Sequence, residues 1–588
     1  MFRKILVLPA LLALGACATV PADRTPAAGP APVTVGLIAI NDFHGNLEPP
    51  KQSVEATAPD GSKLRVPVGG AAYLASAIDT LRGRYANHLV VSAGDLIGAS
   101  PITSSLFLDE PTIGVMNRIG LDFNAVGNHE FDRGWHELLR MQDGGCAKHT
   151  VRMPCRVEPH FPGAKFRFLA ANVVTEGGQT LFPASALRSF GHGARAVQVG
   201  VIGLTLKETP TLASPSGVAG LTFGDEAEAI NREVDRLKAQ GADAIAVLIH
   251  QGLYTTVPYN DHGCGGVSGG LLPILARLDP RVDLVISGHT HWAYVCDYGE
   301  MDPTRSFLVT SGGVYGELVT DISITIDPAS GKVVSRRADN VLVQSEAYTA
   351  TRGDVPVSEL FPRFAPRADI AAYVGTYAAA VKEEANRVIG YLDGGAAFKP
   401  VKAINETALG NLIADMQLAA TAAPDRGAAQ IALMNNSGIR ADLAPATDGA
   451  VTFGAIYAVQ PFANTLVTRS FTGAQLKALL EQQFDTAGFD QAFSPSAGFT
   501  YAFDLSRPTG ARVFDVMLNG QPIADSATYR VTMNSFLANG GDNFTVFRDG
   551  TDTVNGAVDL DAAEEWFRAA PRHMLPATGR IRNLTPAQ

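Results

Sequence analysis

The sequence predicts a protein of two domains, α/β and α+β in class, joined by a long helix. A chain of 588 residues exceeds what one hydrophobic core usually organises. From Val33 to about Ile326, apolar strand-length runs alternate with helical and glycine-rich segments, a pattern typical of layered α/β folds. A single long helical segment then precedes a second region that has its own helix, strands and turn clusters.

The first residues indicate an export signal that is not part of the fold. Arg3 and Lys4 precede an apolar stretch that ends at Ala13 and is too short to span a bilayer. Leu14-Gly15-Ala16-Cys17 resembles a bacterial lipobox, so we assign residues 1–17 to a lipoprotein signal peptide. An ordinary cleaved signal peptide is the alternative. Lipid on Cys17 predicts attachment to a membrane, and we expect an exported protein of the periplasm, anchored to the outer membrane.

The segment 18–32 is rich in Pro and Ala and is predicted to be a flexible tether. No later apolar run is long enough for a transmembrane helix. Four cysteines remain after Cys17, and an oxidising compartment favours two disulfides among them. Three pairings are possible. We favour Cys146 with Cys155 and Cys264 with Cys296, because each pair closes a loop within one sequence region.

The net charge argues against a nucleic-acid polymer as a partner. The chain has 47 basic and 58 acidic side chains, giving a formal charge of −11, whereas a general nucleic-acid binder needs a basic surface. A small anionic substrate stays compatible if metal ions or arginines supply positive charge locally. No protein partner is evident.

The catalytic domain is predicted to cover residues 33–345, with a helix near 227–240. A linker follows at 346–390, with a long helix at 368–389. A second domain at 391–588 contains a helix near 407–420. Within the first domain, five apolar runs are predicted to be buried strands: 35–40, 88–92, 197–202, 244–249 and 282–286.

Polar residues suited to metal binding follow these strands. Alternate residues of an extended segment point to the same side, so Asp42 and His44 can face one ion. Five of the 12 histidines lie in such positions, with Asp and Asn beside them. Carboxylate, amide oxygen and imidazole suit paired divalent metals. The segments are Asn41-Asp42-Phe43-His44-Gly45, Gly94-Asp95, Gly127-Asn128-His129-Glu130-Phe131-Asp132, His250 and Gly288-His289-Thr290-His291.

This succession of motifs resembles the calcineurin-like metallophosphoesterases, and the longer strings 41–45 and 125–132 resemble bacterial and animal 5′-nucleotidases in particular. The resemblance implies a four-layer β-sandwich flanked by helices, followed by an α/β nucleotide-binding domain. It implies two divalent metal ions, drawn from Zn, Mn, Fe or Co. One would be held by Asp42, His44, Asp95 and His291, and the other by Asp95, Asn128, His250 and His289.

The same resemblance makes His129 the catalytic histidine, oriented by Asp132. The pair would stabilise charge on the phosphoryl group or protonate the leaving oxygen. A helix-capping role is the alternative for Asp132.

Three strings of the second domain also resemble the 5′-nucleotidases: 435–440, 460–464 and 534–542. The resemblance implies that Phe462 and Phe536 clamp the base, that Asp542 meets the ribose hydroxyls and that Arg440 meets the phosphate. Asn464 or Asn436 would add hydrogen bonds.

One departure concerns Asn405, which stands where relatives commonly have an arginine, with only Lys399 and Lys402 nearby. A weaker phosphate clamp would favour diesters or cyclic phosphates.

The leading hypothesis is therefore a metal-dependent hydrolase, a 5′-nucleotidase that releases phosphate and nucleoside outside the cytoplasm. Three enzymatic alternatives stay open: a 2′,3′-cyclic-nucleotide phosphodiesterase with 3′-nucleotidase activity, a UDP-sugar hydrolase and a hydrolase of sulfur compounds. A non-catalytic nucleotide-binding lipoprotein is the alternative from another class, and it predicts missing metal ligands.

Overall fold

The computed structural model describes residues 31–58, 60–150, 152–193, 196–213, 217–259, 261–350, 353–462, 464–484 and 491–586. The predicted signal peptide, including Cys17, and most of the predicted tether lie outside the described residues. Within these ranges, no helix combines the length and apolar character that crossing a membrane requires.

The N-terminal domain contains two large sheets with helices on their outer faces. Its strands are β1 (Val33–Ile40), β2 (Gln52–Thr57), β3 (Lys63–Val68), β4 (Asn87–Ser92), β5 (Phe123–Ala125), β6 (Arg167–Leu169), β7 (Val173–Thr175), β8 (Ser185–Phe190), β9 (Val197–Leu204), β10 (Leu221–Phe223), β11 (Ala244–Ile249), β12 (Leu284–Ser287), β13 (Ala293–Asp297), β14 (Leu308–Gly312), β15 (Leu318–Asp327), β16 (Lys332–Leu342), β17 (Tyr348–Ala350) and β18 (Gly353–Val355). Its helices are α1 (Ala71–Arg82), α2 (Ile102–Ser105), α3 (Glu110–Ile119), α4 (Trp135–Asp143), α5 (Thr209–Leu212), α6 (Glu226–Ala239) and α7 (Leu271–Leu275).

The two sheets pack face to face and form the centre of this domain. Their strand orders are β16-β15-β1-β4-β5-β6 and β13-β14-β12-β11-β9-β8. Alternate residues of β1, among them Leu37, share one apolar core with residues of the opposite sheet such as Val201. The other face of the first sheet packs against α1, α3 and α4, and that of the second packs against α6 and α7. The four-layer arrangement implied by the sequence resemblance is therefore confirmed.

The strand directions bring the polar segments together. β1, β4 and β5 run parallel, with Ile40 beside Ser92 and Ser92 beside Asn124. In the second sheet β11 and β12 are also parallel, with Ile249 beside Ser287. Because the carboxyl ends of these strands lie at the same edge of the sandwich, the segments that follow them meet there.

The linker helix is shorter than predicted. Helix α8 covers Ala368–Asn386 rather than 368–389, because Arg387 leaves the helical conformation with ψ at 117° and strand β19 (Val388–Asp393) begins at once. The predicted boundary at 390 therefore falls inside β19, where β-branched residues pair with a strand of the second domain. One face of α8 packs on the N-terminal domain through Ile370 and Val374.

The C-terminal domain consists of smaller sheets around two cores. A five-stranded sheet has the order β23-β20-β27-β22-β28, a four-stranded sheet β26-β25-β24-β30 and a three-stranded sheet β21-β19-β29. Its remaining strands are β20 (Ile431–Asn435), β21 (Ala450–Thr452), β22 (Thr465–Thr472), β23 (Phe493–Pro495), β24 (Phe499–Phe503), β25 (Val513–Leu518), β26 (Gln521–Pro522), β27 (Thr528–Asn534), β28 (Thr551–Val558), β29 (His573–Met574) and β30 (Ile581–Asn583). Its helices are α9 (Ala408–Thr421), α10 (Phe453–Val459), α11 (Gly473–Glu481), α12 (Ser535–Ala538) and α13 (Asp559–Arg568).

Two disulfides link the cysteines in the predicted pairs. Cys146 is bonded to Cys155, and Cys264 is bonded to Cys296. Both bonds lie in the N-terminal domain, and the second joins the loop after β11 to β13.

Candidate active site

Two clusters of metal-binding side chains meet at the carboxyl ends of the parallel strands. The first contains Asp42, His44 and His291. Nε2 of His44 lies 3.3 Å from Nε2 of His291, and Nε2 of His291 lies 3.5 Å from Oδ1 of Asp42. Nδ1 of His44 lies 2.9 Å from the carbonyl oxygen of Gly98, which can only accept a hydrogen bond, so the ring hydrogen is on Nδ1. The Nε2 atom, which faces the cluster, therefore keeps a lone pair for an ion.

The second cluster contains Asp95, His250 and His289, with Asn128 between the rings. Oδ1 of Asn128 lies 3.1 Å from Nε2 of His250 and 3.1 Å from Nδ1 of His289. Oδ2 of Asp95 lies 3.0 Å from Nε2 of His250 and 3.6 Å from Nε2 of His44, so this carboxylate faces both clusters. The convergence of carboxylate, amide oxygen and imidazole nitrogen fits a pair of divalent ions sharing Asp95.

The backbone at these side chains is strained. Asp42, His44, Asp95, His289 and His291 all have φ between 45° and 71°, in the left-handed region that non-glycine residues rarely adopt. Each such residue costs on the order of 1–3 kcal/mol. Five of the seven predicted ligands have this conformation. The contacts of the surrounding fold therefore hold these residues in a backbone conformation that they would not adopt by themselves.

The histidine pKa values also fit metal binding. Burial lowers the pKa of His44 and of His289 to about 3, so both rings are neutral and can coordinate an ion. Burial also opposes charge on His250, but the adjacent Asp95 outweighs it and raises its pKa to about 10. A metal ion bound by His250 and Asp95 would displace that proton.

Glu130 holds the strand-end turns together. Its carboxylate accepts hydrogen bonds from the backbone N–H groups of Asp95 at 3.0 Å, Leu96 at 2.9 Å and Gly127 at 2.8 Å. A Cβ atom on Gly127 would lie 2.2 Å from Oδ1 of Asp95, so glycine is required there. The sequence motif contains Glu130, but no role for this residue could be read from it, because its partners are backbone N–H groups and the side chain of Asn124, which the motif does not identify.

His129 and Asp132 form a hydrogen-bonded pair beside the clusters. Nδ1 of His129 lies 3.1 Å and 3.0 Å from the two carboxylate oxygens of Asp132. Burial works against a charged His129, but Asp132 and then Asp95 raise its pKa above the ordinary value. The ring can therefore carry a proton to a reacting oxygen. Asp132 also accepts a hydrogen bond from the backbone N–H of Ala99 at 3.0 Å, which fixes the carboxylate.

A cleft of about 380 Å³ connects these residues to the C-terminal domain. Its catalytic-domain wall includes Asn128, His129, Asp132, Tyr254 and His289. The opposite wall includes Asn435, Ser437, Arg440, Phe462, Asn464, Phe536 and Asp542. The volume lies within the usual range for sites that bind small organic ligands. Five of the six predicted substrate residues therefore line the same cleft as the predicted catalytic pair, and Asn436 is the exception.

The two phenylalanines have defined supports. Phe462 stacks on His129 with 5.9 Å between ring centroids and 14° between planes. Phe536 lies against Gly541, where a Cβ atom would be 2.5 Å from the ring. Oδ1 of Asn464 accepts from the hydroxyl of Ser535 at 3.0 Å and the backbone N–H of Phe536 at 3.3 Å. Asn464 thus positions the Phe536 segment.

The structure places Asn436 outside the residues that line the cleft. This side chain is buried, and its Nδ2 donates to the carbonyl oxygens of Ala403 and Asn405, while its Oδ1 accepts from Ser494. Its neighbour Asn435 faces the cleft instead. The two side chains separate at this point because Asn435 is the last residue of β20 and Asn436 begins the 3-10 turn Asn436–Gly438.

Asn435 and Ser437 hold the acidic side chain of the cleft. Nδ2 of Asn435 and the hydroxyl of Ser437 donate to Oδ2 of Asp542 at 3.1 Å and 2.7 Å. Neither residue was predicted to have this role. The position of Asn435 at the start of the string 435–440 was the available signal.

Arg440 supplies positive charge on this side of the cleft. Its guanidinium carbon lies 5.9 Å from the centroid of the Phe462 ring. Burial is the largest cause that lowers the pKa of Lys399, and the positive charge of Arg440 is the second. The two cationic side chains are therefore close enough to repel each other. Asn405, where an arginine was expected, contributes its carbonyl oxygen to Asn436.

Comparison with known proteins agrees with this geometry. Residues 37–293 match the model of the calcineurin-like phosphoesterases, and residues 388–549 match the model of the 5′-nucleotidase C-terminal domain. The chain belongs to the 5′-nucleotidase family. It is accordingly a metal-dependent phosphoesterase that acts on nucleotide phosphoesters, as the sequence predicted.

Individual relatives of this family align along nearly the whole chain. A solved 5′-nucleotidase precursor from Thermus thermophilus is 26% identical, with a TM-score of 0.70, and the match covers 94% of this chain and 99% of that one. The 5′-nucleotidase of Diplobatis ommata is 27% identical over 94% of this chain and 90% of its own. The cell wall protein Lmo0130 of Listeria monocytogenes is 30% identical over 90% of this chain. The chain spans only part of some relatives, 66% of Lmo0130 and 40% of another.

Proposed function

We propose that the protein is an exported 5′-nucleotidase that hydrolyses nucleoside 5′-monophosphates to nucleoside and phosphate. One observation carries the proposal: a single cleft has His129 and the metal-ligand candidates Asn128 and His289 on one wall, and Phe462 and Phe536 on the other. A nucleotide matches both walls, because its anionic phosphate suits metal ions and its flat base suits aromatic rings.

The C-terminal wall would bind the nucleoside. Phe462 and Phe536 would stack on the base, and stacking on an aromatic side chain contributes on the order of 1–3 kcal/mol per base. The Asp542 carboxylate would accept hydrogen bonds from the ribose hydroxyls, while Asn435 and Ser437 keep it in place. Arg440 would approach the phosphate, because its planar guanidinium suits phosphate oxygens.

The catalytic wall would perform the hydrolysis. Asp42, His44, Asp95 and His291 would hold one divalent ion, and Asp95, Asn128, His250 and His289 the other. When bound, such a pair lowers the pKa of water and polarises the phosphoryl group. His129, oriented by Asp132, would donate a proton to the departing 5′ oxygen of the nucleoside.

We also propose that the protein works outside the cytoplasm, in the periplasm, with lipid on Cys17 anchoring it to the outer membrane. Three facts support export: the lipobox-like segment, the two disulfides and the likeness to a cell wall protein and to a 5′-nucleotidase precursor. Labelling cells with radioactive palmitate would test the anchor, since Cys17→Ser should remove label from the protein and release it from membranes.

A phosphate-release panel tests the activity. Purified protein would be given 5′-AMP, 3′-AMP, 2′,3′-cyclic AMP, ATP and a UDP-sugar, each with and without a chelator. We expect the highest kcat/KM with 5′-AMP and loss of release after chelation, with recovery when Zn²⁺, Mn²⁺, Fe²⁺ or Co²⁺ is returned. Preference for 2′,3′-cyclic AMP would replace the proposal with the diesterase alternative, and no release from any compound would refute an enzymatic function.

A further inference from the structure

A buried carboxylate outside the metal-binding clusters lies behind the catalytic pair. Asp109 precedes α3 and is fully buried, with φ at 62° in the left-handed region. Its Oδ1 accepts from the hydroxyl of Ser104 at 2.6 Å. Its Oδ2 accepts from the guanidinium of Arg133 and from the backbone N–H of Gly98, the latter at 3.3 Å. Burial opposes charge on Asp109, but Arg133 and the hydrogen bonds outweigh it and lower the pKa of this carboxyl below its ordinary value.

The hydrogen bond to Gly98 connects Asp109 to the catalytic centre. One peptide unit joins Gly98 to Ala99. Its carbonyl oxygen accepts from Nδ1 of His44 at 2.9 Å. Its N–H group donates to Oδ2 of Asp132 at 3.0 Å. The orientation of this 98–99 peptide therefore affects a metal-ligand candidate and the carboxylate of the catalytic pair together.

Gly98 cannot hold this peptide in place by itself. Its φ is 84°, and a Cβ atom there would lie 2.2 Å from the carbonyl oxygen of His129 and 2.9 Å from Oδ2 of Asp132, so only glycine fits. Glycine is also the residue with the greatest backbone freedom. The hydrogen bond from its N–H group to Asp109 fixes the preceding peptide, and thereby restrains rotation of the 98–99 peptide.

Arg133 is the second link between Asp109 and the catalytic pair. It follows Asp132 directly in the chain, and its guanidinium donates to Asp109 and to the carbonyl oxygen of Ser105, the latter at 3.3 Å. Burial opposes the charge of Arg133, but Asp109 and, with a smaller effect, Asp132 raise its pKa above the ordinary value. The arginine is therefore within electrostatic reach of Asp132 but bonded to Asp109, which leaves the Asp132 carboxylate to His129.

We infer that Asp109 is a positioning residue for the pair of His129 and Asp132. It restrains the 98–99 peptide through the N–H group of Gly98 and retains Arg133, so that Asp132 stays on the His129 ring. The inference rests on the proposed function, in which His129 protonates the leaving oxygen. A residue that only stabilised the fold would affect all substrates alike, whereas a residue that positions a proton donor affects most the substrates whose leaving group needs a proton.

The test removes the carboxylate without straining the backbone. Asp109→Gly suits a φ of 62°, because glycine adopts the left-handed region freely. With the metal-loaded full chain, kcat for 5′-AMP and for phenyl phosphate should fall about tenfold, since both leaving oxygens need a proton, and kcat for 4-nitrophenyl phosphate should fall less than about twofold. Asp109→Asn should restore most of the loss, because its oxygen can accept from Gly98 and its NH₂ group can donate to Ser104.

A double variant and a matched control complete the experiment. In a protein that already carries Asp132→Asn, Asp109→Gly should lower kcat for 5′-AMP by less than about twofold, because the pair that it positions no longer works. Asp283→Gly is the control, since this buried carboxylate also accepts from an arginine, Arg336, and from a backbone N–H group, that of Ile245, but at the opposite ends of the strands. It should leave the ratio of 5′-AMP to 4-nitrophenyl phosphate turnover unchanged.

Bound metal should be measured on the same samples and should match the wild type, because Asp109 belongs to neither metal-binding cluster. Equal losses on the three substrates, additive losses in the double variant, or loss of bound metal would overturn the inference. If the wild-type protein releases no phosphate from 5′-AMP, the proposed substrate is refuted instead, and the two aryl phosphates still decide the role of Asp109.

Discussion

The Asp132→Asn substitution tests the role of the histidine pair most directly. Asp132 lies 3.0–3.1 Å from Nδ1 of His129 and its charge raises the pKa of that ring. Asparagine has nearly the same shape and can still accept from the N–H of Ala99. The change therefore removes the charge that favours protonated His129 while leaving the packing in place.

The expected effect depends on the leaving group. Proton transfer by a positioned side chain contributes roughly 10²–10⁴-fold to rate, so kcat for 5′-AMP, whose leaving alkoxide needs a proton, should fall about a hundredfold or more. That loss corresponds to about 2.7 kcal/mol in the activation free energy. 4-Nitrophenyl phosphate has a leaving group that is stable as an anion, and its kcat should fall less than about tenfold.

Phosphate release from both substrates and the bound metal content should be measured together. Asp132 belongs to neither metal-binding cluster, so metal content should match the wild type. Asp327→Asn is the control, because among the described residues this surface carboxylate accepts only from its own turn, at Ala329 and Ser330. Equal losses on the two substrates, or loss of metal, would show that Asp132 acts by supporting the fold and not by orienting a proton donor.

Three further predictions concern other parts of the molecule. Phe536→Ala should raise KM for 5′-AMP roughly tenfold to a hundredfold with little effect on 4-nitrophenyl phosphate, and unchanged KM would contradict the base clamp. Gly98→Ala should lower the free energy of unfolding, measured in urea, by about 1–3 kcal/mol more than Gly61→Ala. Both glycines have φ at 84°, but a Cβ atom on Gly98 would lie 2.2 Å from the carbonyl oxygen of His129, whereas none is within 4 Å at Gly61; equal losses would refute the steric argument. Burial raises the pKa of Asp559 to about 7, so the folded protein keeps a proton that the unfolded chain releases above about pH 4. Between pH 4 and 7 this residue should lower the free energy of unfolding by up to about 1.4 kcal/mol per pH unit, and Asp559→Asn should remove that slope; parallel pH profiles would contradict it.

The sequence determined the catalytic half of the site because its signals are local. A ligand such as Asp42 follows a strand directly, so an apolar run and the polar residue after it identify the position together. The layered α/β class could also be anticipated, since strands buried on both faces leave continuous apolar runs, whereas the four-layer sandwich was implied only by the family resemblance. The same local logic failed at the end of α8, where Arg387 carries no breaker signal and the helix stops because β19 pairs with β21.

The tertiary structure decided which residues face the cleft and which neighbours support them. Asn435 and Asn436 are adjacent, chemically identical and both buried, and only the end of β20 places one on Asp542 and the other on the carbonyl oxygens of Ala403 and Asn405. The contacts of Glu130 likewise depend on the approach of distant segments. The sequence alone identifies which residues can bind metal ions, because each follows a recognisable strand. The strained backbone that aims them, the rings that flank them and the cleft between the domains arise only when those segments pack together.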